Sequence, residues 1–335
     1  MKCLVVAGHT ATAGIPGISA AGADAELLVH TPAADLEILA YGRPVWSPVV
    51  PVSPDGCPTP AVVTRAVRER VGFDVLAIDA GLARPTAAPT VDVGSEPGGD
   101  VRESVPVPNA ASLFEEAREL AADLPVEELL VGETIPGGTT TALGVLSALG
   151  ERETVSSSLP TNPVDRKRCV VEEALAASAL EPGELAGSPL AAVSQMGDPV
   201  LATVAGIIVG ASDAGTEVTL AGGSQLAAAA GVARHAGVDA PLELATTSFL
   251  AADETCAIES LAAELSLELT VTDPEFDALA HPLADAYREG AAKEGVAMGG
   301  ALAVADHEDV SMAAIRERSA AITDDLLGRD ASVRP

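Results

Sequence analysis

Gly132-Glu133-Thr134-Ile135-Pro136-Gly137-Gly138-Thr139-Thr140-Thr141 is the stretch that decides how this chain reads. The apolar run Leu129-Leu130-Val131 precedes it. Ala142, Val145, Leu146 and Leu149 follow at i, i+3, i+4 and i+7, the stripe of an amphipathic helix. The local order is therefore strand, glycine loop, helix. Two glycines let the backbone turn sharply with its N–H groups outward, and a threonine at the helix start is placed to cap it. Exposed amides and the helix dipole together favour an anion. Glu133 puts a carboxylate at the exit of the strand, on the lip of that anion site.

The spacing separates this loop from two commoner phosphate loops. Gly132 to Thr139 has the length of G-x-x-x-x-G-K-[ST], but Gly138 occupies the lysine position. Nor does the run match G-x-G-x-x-G. The plainer alternative is a tight turn whose glycines only let a helix pack on a sheet.

Working outward, composition sets bounds. Asp and Glu number 49 against 19 Lys and Arg in 335 residues, a formal charge of −30. A chain so acidic offers no broad basic surface, so neither nucleic acid nor anionic membrane is expected as a partner. Aromatics make up 2%, which argues against base-stacking platforms. Lys2, Lys167 and Lys293 are the only lysines. An acidic, alanine-rich, lysine-poor chain reads as adapted to high salt, where ions screen self-repulsion. Cys3, Cys57, Cys169 and Cys256 are scattered, and no His or Cys pattern has metal-ligand spacing. Neither a metal, a cofactor nor a disulfide framework is expected. The apolar run within Met1–Ala7 is too short for a signal peptide, and Val200–Val209 is too short for a membrane span. A soluble, cytoplasmic protein is expected.

Taken in order, Lys2–Ala7 reads as a buried strand, with His9 in the loop after it. Gly14 to Gly22 is glycine-rich and suits a cleft wall. Ala25–Val29 reads as a strand and Asp35–Tyr41 as a short helix or turn. Six prolines between 43 and 60 mark an extended connection. A helix over Ala61–Arg70 and a strand over Phe73–Ile78 follow. Asp79 at that strand's end reads equally as a functional group or a loop cap. Ala83–Asn109, rich in proline, glycine and acid, reads as a solvated excursion, and Leu113–Ala122 as a helix. Later come a polar loop through Ser156-Ser157-Ser158, a helix from Val164 through Lys167 to Ala174, and a strand at Leu190–Val193. On that helix Lys167 is either solvated or, given how rare lysine is here, a phosphate partner. Asp198-Pro199 is a helix start, with Asp198 as cap. Val200–Val209 is apolar nearly all round and reads as a buried helix. Val218–Leu220 leads to a second glycine loop, Gly222-Gly223, and a helix over Gln225–His235. Leu242–Ala245 and Leu265–Val271 complete the strands.

This rhythm predicts an α/β fold, a three-layer α/β/α arrangement around a mainly parallel, Rossmann-like sheet. Ligands in such folds bind at the carboxyl ends of the strands. One domain over 1–335 is expected, its core at about 2–310 and a C-terminal helix at about 308–328. The last feature is Lys293-Glu294-Gly295, joining a helical stretch over Ala284–Ala292 to the apolar run Ala301–Ala305. It is either an exposed turn with a surface ion pair or an active-site loop. Two separated carboxylates, Glu133 and Glu294, suit acid–base work at a sugar carbon with oxocarbenium character.

With these residues in view, the chain resembles the nicotinate-nucleotide–dimethylbenzimidazole phosphoribosyltransferase family, in its archaeal branch. Gly132 to Ala142 resembles the family's G-E-M-G-I-G-N-T-T-T-A, and Arg166 to Leu175 resembles R-K-V-A-V-V-R-R-A-L. Gly222-Gly223 is similar to the start of G-G-F-E-I-A-A, and Glu294-Gly295 to the start of E-G-T-G-A-A. Pro16-Gly17-Ile18-Ser19 and Pro58-Thr59-Pro60 resemble the archaeal branch alone. The resemblance implies transfer of the phosphoribosyl group of nicotinate mononucleotide to an azole base of benzimidazole type, with inversion at the anomeric carbon. The α-ribazole phosphate so formed serves the lower loop of cobalamin. It further implies that Glu294 takes the azole proton and that Glu133 stabilises positive charge on the ribose. Gly137, Gly138 and Lys167 would hold the phosphate, and Thr139, Gly222, Gly223 and Gly295 complete the expected site. A homo-oligomer is expected. The alternatives are another nucleotide or sugar-phosphate transferase of the same fold, or a nucleotide sensor with no catalytic role.

Overall fold

Leu4 and Val6 bury on one side of the first strand, while Cys3, Val5 and Ala7 bury on the other. A strand apolar on both faces belongs in the middle of a parallel sheet covered by helices on both sides. That is what the computed structural model contains. It describes residues 1–19, 26–53, 56–94 and 96–328. Among them, seven strands form one sheet: β1 (Lys2–Ala7), β2 (Asp74–Asp79), β3 (Thr90–Asp92), β4 (Glu128–Thr134), β5 (Glu217–Ala221), β6 (Leu242–Thr247) and β7 (Leu267–Thr272). Their order is β3-β2-β1-β4-β5-β6-β7, and every neighbouring pair is parallel. The order reverses between β1 and β4, which places a crevice beyond the ends of those two strands.

The helices are α1 (Thr31–Tyr41), α2 (Ala61–Val71), α3 (Ala110–Ala122), α4 (Gly138–Leu149), α5 (Val164–Ala177), α6 (Pro189–Met196), α7 (Pro199–Ala214), α8 (Ser224–His235), α9 (Ser248–Ala251), α10 (Ile258–Glu264), α11 (Pro282–Arg288), α12 (Met298–His307) and α13 (Met312–Leu327). Helices α3 to α8, with α10, build the core on one face of the sheet. Helices α1, α2 and α11 to α13 build the core on the other. No helix among the described residues is long and apolar enough to cross a membrane.

Several local expectations are corrected. Leu190–Val193 lies in α6, not in a strand, because Pro189 opens a helix there. A four-residue apolar run does not by itself distinguish the two. Leu28–His30 is a 3₁₀ turn leading into α1, while Ala25 lies outside the described residues, as do Ala20 to Gly22 of the glycine-rich stretch. The segment 83–109 is no mere solvated excursion: it supplies edge strand β3, and Val93, Val101 and Val107 are buried. It also pairs with the loop after β1, Ala11 N donating to Gly98 O at 2.9 Å and Gly98 N to His9 O at 2.8 Å. Helix α4 is buried on nearly every side rather than amphipathic, since α5, α6 and α8 cover what the sheet does not.

Candidate active site

The glycine loop sits where β4 ends at the switch point. Helix α4 starts at Gly138, and its cap residue is Gly137, with φ +83°. Only glycine enters that region without strain, and a Cβ on Gly137 would also meet Ala13 N at 2.9 Å. No threonine caps the helix. Thr141 instead turns inward, donating to Asp198 Oδ2 at 2.5 Å and to Gly138 O at 2.8 Å. The amides of the first turn therefore have no side-chain cap, the arrangement that suits an anion.

Glu133 and Glu294 line one cleft beside this loop, and the backbone of the Glu294 loop is tied to the end of β4. Val296 N donates to Glu133 O at 2.8 Å. Gly132 permits the approach, since a Cβ there would lie 2.7 Å from Ala297 N and Cα. The Glu294 carboxylate is held by four donors. Oε1 accepts from Gly295 N at 3.0 Å and Gly299 N at 2.9 Å, and Oε2 accepts from the Thr246 hydroxyl and Thr247 N, each at 3.1 Å. Burial nonetheless pushes Glu294 up to about 7, against the pull of those donors. Glu133 is pushed to about 8, first by burial and then by the negative charges of Asp198, Glu294 and Asp35. Two carboxyl groups that share a cleft and titrate near neutrality can exchange a proton with a bound base and stabilise a cation between them.

Of the residues expected at the site, Glu133, Glu294, Gly137, Gly138, Thr139, Gly223 and Gly295 line one cleft. Gly222 is not on its lining: a Cβ there would press on Leu226 at 2.9 Å, so its place is in packing α8. Lys167, expected to grip a phosphate, is also corrected. It is fully buried, and its Nζ donates to Ser156 O at 2.6 Å and Asn162 Oδ1 at 3.2 Å. Burial, with Lys293 nearby, lowers its pKa to about 7. Lys293 is buried too, so the Lys293-Glu294 turn is no surface ion pair. Its Nζ donates to Ser157 O and Leu159 O, each at 3.1 Å, and lies 3.1 Å from Asp253 Oδ2. Two of the chain's three lysines thus hold the Ser156–Ser158 loop from behind, and that loop lines the cleft with its hydroxyl-bearing residues. No lysine or arginine lines the cleft among the described residues.

Sequence reasoning passed over several contributors. Asp35 lies on the buried face of α1, and its Oδ2 accepts the Thr134 hydroxyl at 2.6 Å. An acid inside the apolar run Ala33-Ala34-Asp35-Leu36 was the available signal. Asp198 does cap α7, accepting from Leu201 N at 3.0 Å, yet it also accepts Gln225 Nε2 at 2.7 Å and adds charge near Glu133. The proline-rich connection forms a wall of the cleft through Pro51, Val52, Pro58 and Pro60. Asp79 is a loop cap, accepting from Gly81 N and Leu82 N.

Comparison with known proteins bears on the fold and the kinship of the chain. The family model described as phosphoribosyltransferase matches residues 63–241. A UPF0284 protein of Halobacterium salinarum is 59% identical over 321 residues, covering 96% of each chain. A UPF0284 protein of Methanosarcina mazei is 39% identical over 307 residues, covering 90% of this chain and 88% of its own. Among solved structures, nicotinate-nucleotide–dimethylbenzimidazole phosphoribosyltransferase of Thermus thermophilus superposes with a TM-score of 0.61 at 19% identity, covering 98% of this chain and 86% of its own. A structure of CobT from the same organism gives 0.62. At that identity the likeness concerns the fold, whereas the sequence matches establish kinship: the chain belongs to the phosphoribosyltransferase family and, within it, groups with the archaeal UPF0284 proteins.

Proposed function

We propose that this protein transfers the phosphoribosyl group of nicotinate mononucleotide to a benzimidazole-type base, releasing nicotinate and giving an α-ribazole phosphate for the lower loop of cobalamin. The observation that carries the reading is that Glu133 and Glu294 line one cleft with the start of α4, which has no side-chain cap. The base nitrogen attacks the anomeric carbon as the bond to the pyridinium nitrogen breaks, so nicotinate leaves with that electron pair and the configuration inverts. Glu294, ionised, takes the azole N–H proton. Glu133, once it has given up the proton that its burial favours, supplies negative charge to the oxocarbenium-like ribose. The amide of Thr139 and the hydroxyls of Ser156 to Ser158 are suited to the phosphate. The carboxyl groups of the cleft, with no basic side chain among its described lining, also suit the pyridinium ring that the nucleotide carries before the bond breaks.

The test is to mix purified protein, in molar salt, with nicotinate mononucleotide and benzimidazole and to measure free nicotinate and the new nucleoside phosphate. Stoichiometric appearance of both is expected. Nicotinate released at the same rate without any base would point to a hydrolase, and no release at all would remove the reading.

A further inference from the structure

The cleft holds a polar group that this reaction does not use. Asp35 is 2% exposed and lines the cleft. Its Oδ2 accepts the Thr134 hydroxyl, and the Thr59 hydroxyl also donates to the carboxyl. Its Oδ1 has no hydrogen-bond partner among the described residues. Glu37, two residues further along α1, shows the contrast. That carboxylate is also buried, but it accepts from Trp46 N and Ser47 N at 3.1 Å and from Ala87 N at 2.8 Å, and so is consumed in fixing loops. A buried carboxyl oxygen left bare is costly unless a ligand brings the missing donor.

What surrounds Asp35 defines that ligand. Ile18, Val52, Pro58, Pro60 and Val296 line the same cleft and are apolar. The proline segment is folded as a wall, with Thr59 N donating to Pro51 O at 3.1 Å and Val52 bridging to Pro58. It reaches the Glu294 loop, for Pro60 Cγ lies 3.6 Å from a Cβ built on Gly295, and the Thr64 hydroxyl donates to Val296 O at 2.7 Å. The donors suited to a phosphate come from other segments, Thr139 and Ser156 to Ser158. An apolar wall beside the proposed proton acceptor fits a flat heteroaromatic ring, and one bare acceptor in that wall fits a donor on the ring's edge.

We infer that Asp35 selects the acceptor base, its Oδ1 receiving a hydrogen bond from a hydroxyl or amino group on the edge of the bound ring. This rests on the base-transfer reading above. A benzimidazole with a hydroxyl on its six-membered ring is then preferred to one carrying only alkyl or alkoxy groups, which leave Oδ1 bare.

The test is direct binding by calorimetry in molar salt at about pH 8.5, above the value of about 7 to which burial raises Asp35, with no nucleotide present. The probes are benzimidazole and its 5-hydroxy, 5-methoxy and 5,6-dimethyl derivatives. The wild-type protein is expected to bind the hydroxy compound roughly ten- to a hundredfold more tightly than the methoxy compound, the worth of a buried hydrogen bond to a charged group. In Asp35→Asn, Thr134 still has an oxygen to donate to, which turns the amide NH₂ toward the ring. The preference for the hydroxy compound should then be lost, since its oxygen and the methoxy oxygen both accept from that amide. A role confined to structure would weaken all four bases alike. Equal wild-type affinity for hydroxy and methoxy compounds, an unchanged order in the variant, or no binding of any base each overturns the proposal. If the variant does not fold, the wild-type ratio decides. A preserved Asp35-dependent order without nicotinate release would sink the transfer reading while leaving the base site standing.

Discussion

Glu294 carries the most exposed claim at the scale of single residues. Glu294→Gln keeps its shape and most of its hydrogen-bonding reach but cannot take a proton. Turnover should fall by roughly two to four orders of magnitude, the usual worth of a positioned base. An acceptor with no proton to lose, such as 1-methylbenzimidazole, should largely rescue this variant. Glu133→Gln should stay slow with the same acceptor, because what it loses is stabilisation of ribosyl charge. Identical responses in steady-state kinetics would refute this division of labour. Stability follows from the same carboxyl groups. Glu133, Glu294 and Asp35 stand at about 8, 7 and 7, above their ordinary carboxylate values. Folding therefore favours their protonated forms. The stability this brings is complete below about pH 4 and is lost as pH rises toward 8. Thermal melts should show a falling Tm across pH 5 to 8, with a shallower slope in Glu133→Gln. An equal slope in both proteins would mean that Glu133 is not held protonated.

At the scale of elements, the loop from Ala292 to Ala297 does most to assemble the site. Ala292, Val296 and Ala297 have φ of +48°, +53° and +63°, and Gly295 has +138°. Three non-glycine residues in the left-handed region within six positions are costly and persist only where surroundings hold them. Ala292 N donates to Ser158 O at 3.0 Å, the Thr247 hydroxyl to Lys293 O at 2.6 Å, and Val296 N to Glu133 O. Gly132→Ala tests this assembly, since a methyl there collides with Ala297 and must push the loop off β4. A loss of about 1–3 kcal/mol in stability is expected. Turnover should drop further than in a core variant of equal stability, because Glu294 moves with the loop. Unchanged turnover with the expected destabilisation would show that the spacing of the two glutamates is not critical.

For the whole molecule, the charge of −30 sets the solution behaviour. Basic side chains are concentrated in exposed or half-exposed arginine pairs such as Arg118–Asp213 and Arg152–Glu264, each worth little alone. Most of the acidic surface is left to counter-ions. Tm should therefore rise by several degrees or more between dilute buffer and molar potassium chloride. A Tm that does not respond to salt would refute adaptation to high salt, a reading supported by the kinship with a Halobacterium salinarum protein.

The sheet was legible in the sequence because strand–loop–helix order and apolar runs are local signals. The same holds for the glycine loop and for Glu133 at the end of its strand. Glu294 was legible as a charged residue among glycines. That it shares a cleft with Glu133 was not, because this depends on how β4, β6 and the loop before α12 pack. Lys167 shows the opposite limit. Rarity marked it as important, but only burial shows that it supports a serine loop rather than facing the cleft. Leu190–Val193 was misread because a short apolar run satisfies strand and helix alike until Pro189 and its neighbours in space decide. Asp35 needed the tertiary structure most: one oxygen is satisfied by Thr134, the other by nothing among the described residues. Spacing along the sequence fixes which groups an element carries. Which of them end up buried, paired or bare is set by contacts between elements distant in sequence, and those exist only once the crossovers have packed.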